Sequence, residues 1–142
     1  RNKMKKLLAS LFLLGSMLAF AAGEQRVPIE KMVVDQQTSL IYLQGEETPF
    51  TGTVEKKYTS GKLEATLEFK DGKLNGKYVI YENNGRKSTE TIYKDGKENG
   101  YYYLYNFNGT YRTKGAYIMG RPVGLWEYYD KDGKLKDKAI VN

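Results

Sequence analysis

The residues in this sequence best suited to recognition chemistry are its tyrosines, of which there are 13. Tyr81, Tyr105 and Tyr129 recur at an interval of 24 residues, with Tyr103 beside the second. Rings with hydroxyl tips at regular spacing suit contact rather than catalysis: they stack on flat surfaces and donate one hydrogen bond each. Groups for covalent or metal chemistry are scarce by comparison. The sequence has no His and no Cys, which excludes Cys or His nucleophiles, Ser-His-Asp triads and zinc sites of the usual ligand types. Glu55, Glu127 and Asp130 are carboxylates, yet nothing in the pattern fixes the separation that glycoside hydrolysis needs. The expectation is a chain that is not an enzyme, with no cofactor and no metal site, whose candidate binding residues are Tyr81, Tyr103, Tyr105 and Tyr129.

The elements that must position these tyrosines follow from the glycines. Gly52, Gly76, Gly100 and Gly124 form one ladder at the same interval, Gly61, Gly85, Gly109 and Gly133 a second, and Gly72, Gly96 and Gly120 a third. Self-similarity at a fixed period marks an array of one repeated unit. Within a unit, Tyr78-Val79-Ile80-Tyr81 has strand composition and Asn83-Asn84-Gly85 is a hairpin turn signal. Arg86 to Lys94 then reads as a returning strand, and Asp95-Gly96 as the turn into the next unit. No apolar period of 3.6 residues survives, which argues against helices. The predicted fold is all-β: an antiparallel meander of repeated β-hairpins in 24-residue units, forming an elongated twisted sheet after an N-terminal signal helix.

Alternation along the first strand of each unit separates two faces. Val54, Lys56, Tyr78, Ile80, Tyr102, Leu104, Trp126 and Tyr128 are almost all apolar and are expected on the buried side. Glu55, Lys57, Val79, Tyr81, Tyr103, Tyr105, Glu127 and Tyr129 are expected on the wetter side. Phe69, Tyr93 and Tyr117 on the returning strands are expected to stack on one another as a column. Met32-Val33-Val34 and Leu40 to Leu43 read as two short strands of an N-terminal cap, which a repeat array needs because its terminal unit lacks a neighbour. This cap is expected to pack against Leu63, Ala65, Leu67 and Phe69.

The start of the chain is a different kind of sequence. Lys5 and Lys6, the apolar run from Leu7 to Phe20 and the Ala19-Phe20-Ala21 pattern predict a secretory signal peptide over residues 1–21. Met4 is the expected native start. The cap then spans 22–48 and the repeat array 49–142. Removing the leader takes away four basic residues and no acid, leaving 19 basic against 17 acidic, so the net charge falls from +6 to +2. That balance argues against nucleic acid as a partner and makes lipid an unlikely one. The predicted location is the periplasm or the medium, with no lipoprotein anchor, since that needs a Cys.

Tyr93-Lys-Asp-Gly-Lys-x-Asn-Gly-x-Tyr-x-x-Tyr105, with its counterpart from Phe69 to Tyr81 and the entry stretch Pro49-Phe50-Thr51-Gly52, resembles the MORN-repeat family. It is most similar to the variant in bacterial antitoxin-component-like repeat proteins. Pro122 and Val123 depart from the polar pair that usually precedes the unit glycine. The resemblance implies a hairpin array with an interaction role, its members being associated with toxin neutralisation, protein docking or lipid. The expectation is an exported interaction or scaffold module, antitoxin- or immunity-like, whose unidentified partner is a protein in the envelope or outside the cell. Binding of a cell-wall or host glycan through an aromatic sheet face is the alternative, and membrane-surface association a weaker one.

Overall fold

A computed structural model of the chain describes residues 25–142, so the signal peptide expected at 1–21 lies outside the described residues. The strands are β1 (Arg26–Pro28), β2 (Met32–Val34), β3 (Ile41–Leu43), β4 (Gly52–Lys57), β5 (Leu63–Lys70), β6 (Lys73–Tyr81), β7 (Lys87–Lys94), β8 (Lys97–Tyr105), β9 (Tyr111–Ile118), β10 (Arg121–Tyr129) and β11 (Leu135–Val141). From β4 to β11 every strand pairs antiparallel with its sequence neighbours, giving the open meander expected of the repeats. β1 adds a ninth strand, parallel to β4. That strand was not legible as part of the main sheet. β2 and β3 form a separate two-stranded sheet.

The three glycine ladders do three different jobs. Within a unit, Gly85 N–H donates to Glu82 O and Glu82 N–H to Arg86 O, with Gly85 at φ 85°, a type I turn closed by a left-handed residue. Between units, Asp95 and Gly96 take φ 49° and 83°, the two positive values of a type I′ turn. In the third such turn Met119 stands at φ 48° where Asp71 and Asp95 stand before it. At the start of β6, four residues of that strand span the interval that β5 covers in two, a bulge of two extra residues around Gly76. A Cβ at Gly76 would run into the Glu68 side chain, and the Glu68 carboxylate accepts from Lys77 N–H at 2.8 Å.

The units are also stitched to one another. Gly72 N–H donates to Phe50 O, Gly96 N–H to Leu74 O and Gly120 N–H to Glu98 O, so each connecting turn hangs on the preceding unit in the same way. Along the opposite edge, the Asn106 side chain donates to Asp130 O and that of Asn108 to Lys131 O.

The densest packing lies at the N-terminal end. Val27, Phe50 and Val54 are buried, with Met32, Ile41, Leu43, Leu67 and Phe69 packed around them. Phe50 meets Phe69 edge-on at 6.4 Å. Full burial of an aliphatic side chain such as Val54 contributes about 1.5 to 3 kcal/mol. The β2–β3 pair therefore packs on the Val54 side of the first hairpin, with Leu67 and Phe69 of β5 in the same cluster but not Leu63 or Ala65.

Two expectations about the faces are corrected. Val79, placed on the wetter side, is buried, and so is Glu90 beside it, while Tyr128, placed on the buried side, is exposed. Past the cap nothing among the described residues lies over either face, so both are half-buried by their own side chains. The column Phe69, Tyr93, Tyr117 does not stack on itself either. Its members sit two strands apart, so Tyr93 meets Tyr78 at 5.9 Å and Tyr117 meets Tyr102 at 5.8 Å.

Candidate functional site

The face carrying Val79 and Tyr103 holds the candidate site. One row crosses the sheet there as Val79, Glu90, Tyr103, Lys114, Glu127 and Lys138, one residue from each of β6 to β11. β8 places Tyr101, Tyr103 and Tyr105 on this face by simple alternation. β9 adds Tyr111, which sits opposite Tyr105 because Arg112 is the extra residue of a bulge.

The rings form a connected cluster. Tyr101 and Tyr103 stack at 4.5 Å, Tyr105 and Tyr111 at 5.1 Å. Tyr103 meets Tyr111 edge-on at 5.3 Å, and Tyr111 approaches Tyr129 at 6.5 Å. The Lys114 ammonium lies 4.2 Å from the centre of the Tyr111 ring and 5.3 Å from that of Tyr129, positions for cation–π attraction. The Tyr129 hydroxyl donates to Glu127 at 3.0 Å.

Beneath one end of the cluster lies Glu90. Its carboxylate accepts from the Tyr101 hydroxyl at 2.7 Å and from the Lys87 ammonium. Burial pushes the Glu90 carboxyl up, but the hydrogen bonds from Lys87 and Tyr101 outweigh it and hold the group below its ordinary value. Lys87 is raised in turn, chiefly by that hydrogen bond. Burial and the bond to Glu90 push Tyr101 up to about 12. Tyr105 is raised as well, by burial and then by the neighbouring Tyr111. Tyr101 and Tyr105 are thus held as neutral phenols, while the Lys114 ammonium lies among the rings between Tyr111 and Tyr129 with Glu127 on the next strand.

Of the four residues expected from sequence, Tyr103, Tyr105 and Tyr129 come together and Tyr81 does not. Residues 24 apart lie two strands apart, so a contact needs a ring on the strand between. Tyr111 supplies it between Tyr105 and Tyr129, whereas Lys87 holds the same repeat position between Tyr81 and Tyr105. Tyr81 instead lines a hollow of about 320 Å³ with Lys62, Leu63 and Asn84. A wider concavity of about 630 Å³, bordered by Val33, Tyr42 and Glu46, belongs to the cap and is remote from the rings. Tyr101 and Tyr111 were missed because neither recurs: their counterparts one unit earlier are Lys77 and Lys87. Comparing aromatic content between units, rather than seeking shared columns, would have found them.

Among the described residues, no group of three or more acidic side chains is placed to hold a metal ion, and no helix is long and apolar enough to cross a membrane.

No protein-family model matches the chain, and no curated protein sequence matches it. A solved structure with some likeness is that of a point mutant of TarM from S. aureus in complex with fondaparinux, alpha-GlcNAc-glycerol and UDP. The TM-score is 0.40 at 10% identity, over 79% of this chain and 20% of that one, so this chain spans about a fifth of its length.

Proposed function

We propose that the chain is a non-enzymatic interaction module that binds an exported or envelope protein through the tyrosine cluster of its repeat sheet. The observation that carries this reading is the joined set Tyr103, Tyr105, Tyr111 and Tyr129, with Lys114 set among the rings and Glu127 beside Tyr129. Tyr-rich surfaces with charges at the rim are typical of protein interfaces. The resemblance to MORN repeats points the same way, and an antitoxin- or immunity-like role is one form this interaction takes.

Glycan binding draws on the same rings. Stacking on sugar needs free ring faces, and here Tyr101 lies on Tyr103 and Tyr105 on Tyr111. That mutual cover favours a polypeptide, which can contact ring edges and hydroxyls, over a sugar plane. The test is capture of envelope proteins by the chain from Gln25 onward, compared with the Tyr105→Ala and Tyr129→Ala double variant. Loss of one specific partner with the fold intact is expected. Unchanged capture, or binding of peptidoglycan fragments in its place, would overturn the reading.

A further inference from the structure

The last unit departs from its predecessors at one corner of the sheet. Lys70 and Lys94 are followed at the equivalent position by Ile118, Asp71 and Asp95 by Met119, and Asn75 and Asn99 by Val123. The registers Ile118 with Arg121, Ala116 with Val123 and Leu125 with Ile140 place Ile118, Val123, Leu125 and Ile140 on the same face as the tyrosines, with Met119 in the turn beside them. Ile118 is 58% exposed, Met119 49%, Leu125 50% and Ile140 75%. The change gains little packing: Ile118 and Met119 remain in solvent, and only Val123 is half-buried. It is costly in backbone terms too: Met119 holds φ 48°, a region that suits Asp, Asn or Gly in a type I′ turn. Exposed apolar residues gathered at one corner, one of them held at a strained φ, mark a contact surface rather than a repeat requirement.

We propose that this corner, formed by Ile118, Met119, Val123, Leu125 and Ile140, docks an extended polypeptide with aliphatic side chains flanked by carboxylates. Two observations choose the occupant. The rim on this face is basic: Lys94, Lys97, Arg121 and Lys138 are all exposed, against Asp95 and a Glu127 that already accepts from Tyr129. The like charge of two such rims disfavours a second copy of the chain and favours an acidic partner. The chain also shows what an aliphatic patch on this sheet accepts: at the other end, on the opposite face, Val54 and Leu67 are covered by the short strands bearing Met32, Ile41 and Leu43. The proposal goes beyond the tyrosine reading, and each is tested by variants that leave the other's residues unchanged.

The experiment is selection from a displayed library of random dodecapeptides against the chain from Gln25 onward, followed by titration of the enriched peptides. Enrichment of alternating aliphatic and acidic residues is expected, with binding that weakens as salt rises. The triple variant Ile118→Lys, Met119→Asp, Val123→Asn carries the residues that earlier units use at these positions, so it is expected to melt no lower than the parent. It should lose at least tenfold in affinity, and Arg121→Glu with Lys138→Glu should lose affinity for acidic peptides while the apolar corner is intact. Enrichment of nothing, equal binding of basic peptides, or unchanged affinity of the triple variant would overturn the proposal. So would association with anionic phosphatidylglycerol vesicles or self-association in sedimentation, if either replaced peptide binding.

Discussion

Glu90 is the residue at which the candidate site and the stability of the sheet meet. It lies 6% exposed on a face with no second layer over it, where an unpaired carboxylate would be costly. Lys87 and Tyr101 offset that cost, and hydrogen bonds to a charged group contribute about 1.5 to 3 kcal/mol. Because the folded-state carboxyl is held below its ordinary value of 4.5, this contribution is fully present above that pH and is lost as the pH falls through the folded value. Glu90→Gln is therefore expected to lower the melting temperature at pH 7. It should also flatten the fall in stability below about pH 4.5. Thermal melts of both proteins from pH 7 to pH 3 check this, and parallel curves would show that Glu90 is not the titrating group. Little of this was readable beforehand. Glu90 shares its repeat position with Thr66 and Lys114, so no column announced a buried acid. In a sheet without a second layer, burial follows from side chains leaning on one another, which alternation alone does not encode. Val79 was misplaced for the same reason. The turns were legible because Asn-Asn-Gly and Asp-Gly report their own backbone angles, whatever packs around them.

At the scale of the element, the repeat allows one strand pair to be compared with another. β9 and β10 replace a Thr and a Tyr of the unit before by Gly115 and Trp126. The two changes compensate: a Cβ at Gly115 would meet the Trp126 ring inside van der Waals contact, so the larger ring lies where the strand has lost a side chain. Trp126 also meets Tyr117 edge-on at 5.3 Å and Tyr102 at 5.7 Å, which buries it despite its place near the end of the array. Gly115→Thr alone is expected to destabilise by about 1 to 3 kcal/mol through overpacking. Trp126→Tyr alone should also destabilise, by leaving space above Gly115. The double variant restores the Thr91 and Tyr102 pairing of the preceding unit and should recover much of both losses. Urea unfolding of the four proteins gives the coupling as a double-mutant cycle, and strict additivity would mean that the two residues are not partners. Such covariation within a single chain was present in the sequence. A shared period does not reveal it, because the period reports what is common to the units and not what changes in pairs.

For the whole molecule, the order of the strands sets a gradient of stability. In an array each unit draws on its neighbours, so stability is a sum of unit and interface terms rather than the property of one core. β4 has strands on both sides and the β2–β3 sheet over Val54, while the strands from β5 to β10 have two neighbours each and lack that cover. β11 pairs only with β10 among the described strands, and all of its residues except Val141 are exposed. Lys134, Lys136 and Lys138 add charge along this edge, which hinders pairing with another chain and leaves the strand without a further partner to hold it. Amide protection is then expected to fall from the cap towards β11, because local opening is easiest where fewest side chains must be uncovered. Hydrogen exchange followed by mass spectrometry at neutral pH should label peptides from β11 first, then β10 and β9, with those from β4 to β7 last. Exchange of all strands together in one cooperative step would contradict the gradient, and would mean that the hydrogen bonds stitching turn to turn couple the units more strongly than the packing within them. The gradient also places both proposed recognition surfaces in the more weakly protected part of the array. A bound partner should therefore slow exchange most in β9 to β11, by linkage to opening of those strands.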